Sequence, residues 1–372
     1  MTREREGRVT RPGGGRVTRD RVVVAMSGGV DSSVAAALLV EAGCDAVGVT
    51  LHLAGAGSRC CSLADADDAR RVAERLGIPF YVANETERFR SEVTLAFADA
   101  YLAGRTPIPC VACNSRFKFH HLLARARVFG AAAVATGHYA RVDVDPETGE
   151  RRLRRAADEA KDQSYFLYEL GPEQLAAARF PLGELRKEEV RAHARRLGLA
   201  TAEKPESQEL CFVPDGDTAA AVERLRPERL PGEGEIVDEA GRVLGRHGGI
   251  HRFTVGQRRG LGVASDRRLY VTRLEAARNR VVVGDLGALG AKLARVARAS
   301  WVAGSAPAAP LRALVRVRHR HAGAAATVEP QPDGGARVAF DEPVAAVAPG
   351  QSAVFYAGDR VLGGGAIAEA LP

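Results

Sequence analysis

Two stretches of the chain carry side chains that could take part in chemistry. The first, residues 25–33, holds two glycines, three serines and one aspartate directly after a run of valines. Gly28 and Gly29 let the backbone come close to an anion, because glycine adopts positive φ without a Cβ clash. Backbone N–H groups at the start of a helix bind phosphate. The stretch lacks the lysine of the common NTPase loop, so it predicts a different kind of phosphate site.

The order of residue types in residues 27–33 is typical of the pyrophosphate-loop ATP enzymes. These enzymes cleave ATP between the α- and β-phosphates and adenylate a substrate. The alternative is an ordinary tight turn between a strand and a helix. Asp31, together with Ser32 and Ser33, favours the nucleotide site, since the whole motif lies between a predicted strand and a predicted helix.

The second stretch holds paired cysteines. Cys110 and Cys113 follow two prolines, which predict a stiff, extended loop, and a helix is predicted to begin near His120. Arg116 and Lys118 lie just beyond Cys113. A thiol near positive charge and a helix N-terminus has a lowered pKa, and the thiolate is the reactive form. The pair could be half of a zinc site, a redox dithiol, or one catalytic thiol whose partner lies elsewhere.

The other cysteines decide between these interpretations only in part. No second CxxC or nearby pair of histidines has zinc spacing. Cys211 is the candidate partner, since it follows a charged loop where the composition of the chain changes. We expect Cys44 to be a buried small hydrophobe and Cys60-Cys61 to be non-catalytic. With no secretion signal in the sequence, all six cysteines are expected to be reduced.

Strands and helices alternate from residue 21 to about residue 140. This alternation predicts an α/β doubly wound parallel sheet with its ligand at the carboxyl ends of the strands. The turn at 27–33 and Thr136-Gly137-His138-Tyr139 both follow predicted strands, at 22–25 and 131–135. A hairpin is predicted at 141–155. Beyond about residue 213, short strands between Gly and Pro turns predict a small β domain or barrel.

The bulk composition fits a soluble protein with a polyanionic partner. The 372 residues carry a formal net charge of +7, which suits RNA, although part of it lies in an Arg- and Gly-rich N-terminal tail. We expect this tail, residues 1–20, to be disordered. No apolar run approaches the roughly 20 residues that span a bilayer, so a cytoplasmic protein without a membrane partner is expected.

These motifs together resemble the bacterial type of the tRNA-specific 2-thiouridylase family. The resemblance is carried, in the family's order, by residues 26–33, 103–107, 113–114, 135–139, 161–168, 211–212, 253–262, 340–347 and 349–356. It implies a pyrophosphate-loop ATP-binding domain of the adenine nucleotide alpha hydrolase-like type, then a small central domain and a C-terminal β-barrel. We place these three parts at residues 21–212, 213–289 and 290–372.

The resemblance also implies a reaction. ATP, with Mg²⁺, adenylates the C2 oxygen of the wobble uridine of a tRNA, and a cysteine persulfide then delivers sulfur to give 2-thiouridine, AMP and pyrophosphate. Cys211 would carry the persulfide and Cys113 would be the other catalytic cysteine, so the two would form a transient disulfide. The implied sulfur source is a sulfur-relay protein or a cysteine desulfurase, and a monomer is expected.

The implied site residues fall into three groups. The nucleotide site would comprise Ala25, Met26, Ser27, Gly28, Gly29, Val30, Asp31, Ser32, Leu51 and Gly137. The tRNA would contact Lys161, Asp162 and Gln163, and also Arg318 and His319 on a predicted basic strand at 316–321. The loop at the target base would be Ile108, Pro109 and Cys110.

One of these positions departs from the family pattern. Many members have Asn-Pro-Asp where this chain has Ile108-Pro109-Cys110, and that Asp is a candidate acid–base residue. Either its role is dispensable, or Cys110 takes part in the sulfur step. A further alternative is an iron–sulfur cluster on Cys110, Cys113 and Cys211. Two rival functions stay open: an amidotransferase-type ligase of the pyrophosphate-loop class, and an RNA-binding protein without catalysis.

Overall fold

The computed structural model describes residues 20–53, 62–206, 210–213 and 215–372. The predicted tail, apart from Asp20, and the predicted non-catalytic pair Cys60-Cys61 lie outside the described residues. Within these ranges the chain forms three sheets, of five, four and eight strands. No helix in the described part is long and apolar enough to cross a membrane.

The strands are numbered in chain order. They are β1 Arg21–Ala25, β2 Asp45–His52, β3 Phe80–Asn84, β4 Ala133–Ala135, β5 Arg141–Val144, β6 Arg151–Arg154, β7 Ala178–Arg179, β8 Gly234–Asp238, β9 Val243–His247, β10 Tyr270–Glu275, β11 Arg280–Gly284, β12 Gly290–Trp301, β13 Leu311–Arg316, β14 Ala324–Pro330, β15 Ala336–Ala345, β16 Ser352–Ala357 and β17 Arg360–Leu371.

The helices are fewer, and most of them lie in the first half of the chain. They are α1 Val30–Glu41, α2 Leu63–Leu76, α3 Thr86–Phe89, α4 Leu95–Leu102, α5 Pro109–Ala112, α6 Leu122–Val128, α7 Pro172–Ala177, α8 Lys187–Arg196 and α9 Thr218–Leu225. Two π-helical segments, Arg90–Thr94 and Cys113–His121, join α3 to α4 and α5 to α6. Short 3₁₀ turns occur at Ser164–Phe166, Pro227–Arg229, Ile250–Arg252, Ala276–Arg278 and Gly287–Leu289.

The first sheet is parallel, with the strand order β3-β2-β1-β4-β7. Its central strand explains the run of valines in the sequence. Val23 packs into the core on one face of β1, whereas Val22 and Val24 pack into a second core on the other face. A strand covered on both faces needs apolar side chains on both. The predicted doubly wound parallel sheet is therefore confirmed.

The predicted loop before the two cysteines is present at residues 105–108, but the prediction that the next helix begins near His120 is wrong. A helix begins at Pro109, with Ile108 as its extended N-cap, and continues through the π-helical segment into α6. Cys110 thus lies in the first turn of this helix. Proline suits the first position of a helix, because its missing N–H has no partner there and its φ is already helical. Of the two prolines, Pro107 lies in the loop and Pro109 starts the helix.

The second sheet, of order β10-β11-β8-β9, has a small core of its own. The third is a closed barrel, because β12 pairs with both β15 and β17. The predicted hairpin at 141–155 is confirmed as β5 and β6, but it joins the barrel sheet, where Leu153 pairs with Val361. The sheet topology therefore connects the first part of the chain to the barrel.

The predicted basic strand at 316–321 is wrong. Strand β13 ends at Arg316, and the residues after it form a turn, which Arg316 closes by donating to the carbonyl of His319. Only the first residue of the predicted segment therefore belongs to a strand. Of the arginines in this segment, Arg318 and Arg320 are exposed to solvent and Arg316 is not.

Asp162 and Arg316 form an ion pair that joins the first domain to the barrel. Their side chains are only 4% and 12% exposed, and Arg316 Nη1 lies 3.3 Å from Asp162 Oδ2. The same carboxylate accepts the Ser164 hydroxyl at 3.0 Å and the backbone N–H groups of Ala156 and Ser164. Removing one partner of a buried pair leaves the other charge uncompensated.

We therefore expect Arg316→Met to lower the free energy of unfolding by about 3 kcal/mol, measured by urea denaturation. Arg318→Met is the matched control, because Arg318 is exposed two residues away. It should change stability by less than roughly 0.5 kcal/mol. Equal stability of the two variants would contradict the buried role of the Asp162–Arg316 pair.

Candidate nucleotide and sulfur-transfer site

The turn between β1 and α1 has the geometry of an anion site. Gly28 adopts φ of +69°, and Gly29 is an extended N-cap without any side-chain hydrogen bond to the first turn of α1. The N–H groups at this helix start are therefore not capped by a side chain, and they carry the partial positive charge of the helix dipole. A phosphate fits such a site.

The serines of the turn shape it from within. Ser27 N–H donates to Ser32 Oγ at 3.1 Å, and the hydroxyls of Ser32 and Ser33 donate to the carbonyl of Gly29 at 3.2 and 2.8 Å. These hydroxyls thus hold the backbone of the turn. Thr50 on the neighbouring strand donates to the carbonyl of Met26 at 2.6 Å.

Two glycines allow other segments to pack directly on the turn. A Cβ on Gly28 would lie 2.2 Å from the carbonyl oxygen of Asp65, and one on Gly137 would lie 2.6 Å from Ser32 N. The structure therefore brings Gly137, a predicted nucleotide-site residue, against the turn. Leu51, another such residue, is buried at the carboxyl end of β2, where it belongs to the core.

Asp31, the acid of the turn, is held by two donors from distant parts of the chain. The Tyr139 hydroxyl donates to Asp31 Oδ1 at 2.9 Å, and Lys187 Nζ lies 2.7 Å from the same oxygen. Burial, and then the charge of Asp31, raise the pKa of Tyr139, so its hydroxyl keeps its proton and remains a donor. Lys187 was not identified from the sequence, because nothing local marks a lysine at the start of α8.

Lys187 continues a chain of ion pairs away from the turn. Its ammonium lies 2.7 Å from Glu206 Oε1, and Lys161 lies 2.7 Å from Glu206 Oε2. Burial alone would raise the pKa of Glu206, but the contacts with the two lysines outweigh burial and lower this pKa. The ion pairs therefore connect the turn between β1 and α1, called the phosphate turn below, to Lys161 and to the segment that precedes Cys211.

His138 connects the end of β4 to the cysteine-bearing helix. It is buried, with Nδ1 2.7 Å from Thr136 Oγ1 and Nε2 3.4 Å from Lys118 Nζ. Burial, and then the charge of Lys118, lower the pKa of His138 well below its usual value. An ammonium can only donate, so Nε2 accepts and the proton of the neutral ring lies on Nδ1.

The structure brings Cys113 and Cys211 to the same core. Both are half-buried and pack against the hydrophobic cluster that includes Val23 and Phe117. The ring of Phe89 contacts Phe117 at 5.5 Å between centroids, and it also contacts Phe212, the neighbour of Cys211, at 6.0 Å. One aromatic side chain thus holds both cysteine-bearing segments.

The remaining cysteines and the target-base residues have different surroundings. Cys110 is half-buried in the helix start, Pro109 is buried, and Ile108 packs against the same core as Cys113. Cys44 is half-buried and packs against the second core, rather than being fully buried as expected. Across the described ranges, no three His, Cys, Asp or Glu side chains are grouped so that they could hold a metal ion.

The five residues predicted to contact tRNA differ in their access to solvent. Lys161 is paired with Glu206, Asp162 is buried, and Gln163 Oε1 accepts the Tyr139 N–H at 3.0 Å. The ring of His319 contacts the ring of Phe166 with centroids 4.5 Å apart, and its neighbour Arg318 is exposed. Their contact with tRNA stays a prediction.

Comparison with known proteins assigns the parts of this chain. A family model described as tRNA methyl transferase HUP domain matches residues 20–215, a PRC-barrel domain model matches residues 222–285, and an aminomethyltransferase beta-barrel domain model matches residues 291–367. The predicted boundaries at residues 212 and 289 stay predictions.

Whole-chain relatives are more specific than the domain models. A protein of Solibacter usitatus named tRNA-specific 2-thiouridylase MnmA is 51% identical over 363 residues, covering 92% of this chain and 98% of the relative. A protein of the same name from Acidobacterium capsulatum is 50% identical, covering 92% of this chain and 98% of the relative. Another, from Rhodospirillum centenum, is 52% identical, covering 95% of this chain and 93% of the relative. The chain therefore belongs to the tRNA-specific 2-thiouridylase family.

Proposed function

We propose that this protein is an ATP-dependent tRNA-uridine 2-sulfurtransferase. The observation that carries the proposal is the pairing of an uncapped phosphate turn with two half-buried cysteines, Cys113 and Cys211, which pack against a core shared with β1. The name of the first domain model mentions methyl transfer. An ATP-type turn and a cysteine pair favour thiolation, as do the names of the relatives.

The turn supplies the activation half of the reaction. ATP would bind with its phosphates at the start of α1, and the C2 oxygen of the wobble uridine would attack the α-phosphate, releasing pyrophosphate. Adenylation makes this oxygen a leaving group. Asp31 is the acid in the turn that could face a bound Mg²⁺, which would offset phosphate charge. The remaining nucleotide contacts are those predicted from residue 25 to residue 32, with Leu51 and Gly137.

The cysteines supply the sulfur half. The outer sulfur of a Cys211 persulfide attacks C2, and the bond to the AMP oxygen breaks. The Cys113 thiolate then attacks the inner sulfur, so the sulfur–sulfur bond breaks and 2-thiouridine is released. A Cys113–Cys211 disulfide remains, and a dithiol reductant must restore both thiols before the next turnover.

The reaction requires partners as well as ATP. tRNA is the substrate, and a sulfur-relay protein or a cysteine desulfurase would load Cys211. We expect a cytoplasmic monomer. Cys110 stands where the family pattern has a candidate acid–base Asp, so either that role is dispensable or Cys110 assists the sulfur step.

A second route, through an iron–sulfur cluster on Cys110, Cys113 and Cys211, ranks below the persulfide. These three cysteines are not among any grouping able to hold a metal ion in the described part of the chain. Anaerobically purified protein that carries iron, and loses it on Cys110→Ser, would favour the cluster. Full activity of iron-free protein would exclude it.

Pyrophosphate release tests the proposal against the ligase rival. We expect release from ATP only when tRNA with an unmodified wobble uridine is present, because the uridine oxygen is the nucleophile. The control is tRNA that already carries 2-thiouridine, which should give none. Equal release with ammonia or glutamine and no RNA would contradict the proposal and indicate a ligase.

A further inference from the structure

The phosphate turn contains a carboxylate, and this raises a question about charge. Asp31 cannot bind a phosphate directly, because the carboxylate and the phosphate are both negatively charged. A carboxylate in an anion site therefore has a use only if it holds a cation there. The turn itself has no lysine or arginine. The cation that the structure places on Asp31 is the ammonium of Lys187, at 2.7 Å.

We propose that Lys187 is the phosphate-binding lysine of this nucleotide site, supplied from α8 instead of from the turn. The inference rests on the proposed function, since it requires ATP at the turn. Lys187 begins α8, and α8 packs against α1, so the two helices deliver the ammonium and the turn to one place.

The surroundings of the ammonium fix its position and leave it a donor. Lys187 is a buried residue, and its side chain is 11% exposed. Asp31 and Glu206 take two of its contacts, each at 2.7 Å, and the ring of Tyr139 lies 5.7 Å from Nζ. An ammonium has three N–H donors. The third is available to a phosphate oxygen at the turn.

Glu206 gives the Lys187 ammonium a second carboxylate partner when no nucleotide is bound. Lys187 contacts the carboxylates of both Asp31 and Glu206, and Glu206 also pairs with Lys161. The two carboxylates therefore hold the Lys187 side chain in one position before ATP binds.

The test compares ATP with adenosine, because only ATP carries phosphates. In calorimetry without tRNA, Lys187→Gln should weaken ATP binding roughly 10- to 100-fold, the usual effect of losing a charge-assisted hydrogen bond. Adenosine binding should be unchanged. The matched control is Arg152→Gln, since Arg152 also bridges two carboxylates, Asp143 and Asp145, with a side chain 16% exposed. It should leave the affinities for both ligands unchanged.

A measurement on the unaltered protein covers the case in which Lys187→Gln does not fold. Trace acetic anhydride labels lysines, and ATP should slow the labelling of Lys187 several-fold, whereas adenosine should not. The exposed Lys292 on β12 is the internal reference. Equal weakening of ATP and adenosine in the variant, or no protection by ATP, would overturn the inference. Failure of the wild-type protein to bind ATP at all would instead contradict the proposed function.

Discussion

Cys211→Ser is expected to abolish 2-thiouridine formation, with a loss of at least roughly 1000-fold, as is usual when a covalent nucleophile is removed. A hydroxyl cannot carry a persulfide, so no sulfur reaches the activated uridine. Adenylation does not use this thiol. The variant should therefore still release pyrophosphate in the presence of tRNA, up to about one equivalent per enzyme.

Cys113→Ser should also stop product formation, but at a later point. The persulfide would still form on Cys211 and attack the activated uridine, but the resulting disulfide between Cys211 and the tRNA would persist because no second thiolate cleaves it. Mass spectrometry of the intact protein detects the added sulfur before ATP and tRNA are supplied, and the covalent tRNA adduct afterwards. Cys44→Ser is the control, because Cys44 packs against the other core, and it should retain activity. Product formation by either Cys113→Ser or Cys211→Ser would contradict the assigned roles.

The second large effect concerns the turn. Gly28→Ala should remove ATP binding and lower the stability of the protein, because the new Cβ would lie 2.2 Å from the carbonyl of Asp65. Either the turn or the start of α2 must then shift. The positive φ of 69° adds backbone strain of roughly 1–2 kcal/mol. Calorimetry with ATP, and urea denaturation, measure the two effects.

Gly43→Ala is the control that distinguishes the steric clash of a new Cβ from the backbone strain of a positive φ. Gly43 has φ of +81°, and a Cβ there would meet nothing within 4 Å. This control should cost about 1–2 kcal/mol of stability and leave the affinity for ATP unchanged. If Gly28→Ala and Gly43→Ala behave alike, close packing at the turn is not what the nucleotide site requires.

Local patterns predicted the parts of the fold that are locally determined. The valines of β1 and the glycines after them indicated the central strand and the turn, because burial on both faces and positive φ each demand particular residue types. The hairpin at 141–155 was predicted from its turn residues, Pro146 to Gly149. Its place in the barrel sheet was not, because pairing with Val361 depends on a contact across two domains.

The errors also have physical causes. Proline both stiffens loops and starts helices, so the residues before Cys110 are consistent with either structure, and only the fold shows the helix at Pro109. Strand β12 was not predicted, because alanine and arginine favour strands weakly and a register shift between Ala291 and Leu293 interrupts its alternation.

In the candidate site, too, the residues in local motifs were predicted and those that depend on distant contacts were not. The motif at residues 27–33 and the cysteines are visible in the sequence because each is a compact pattern. Lys187 and Glu206 are not, because their position depends on how α8 packs against α1. Tyr139 lies in a segment that the sequence marks, but its bond to Asp31 is apparent only from the fold.

Nucleoside mass spectrometry tests the central claim most directly. The purified protein is incubated with ATP, Mg²⁺, a cysteine desulfurase with cysteine, a dithiol reductant and tRNA from cells that lack this gene. We predict 2-thiouridine at the wobble position, one AMP per thiolated tRNA, and no product when ATP or the sulfur source is omitted. An unchanged wobble uridine in the complete mixture, although the protein binds ATP and tRNA, would contradict the account.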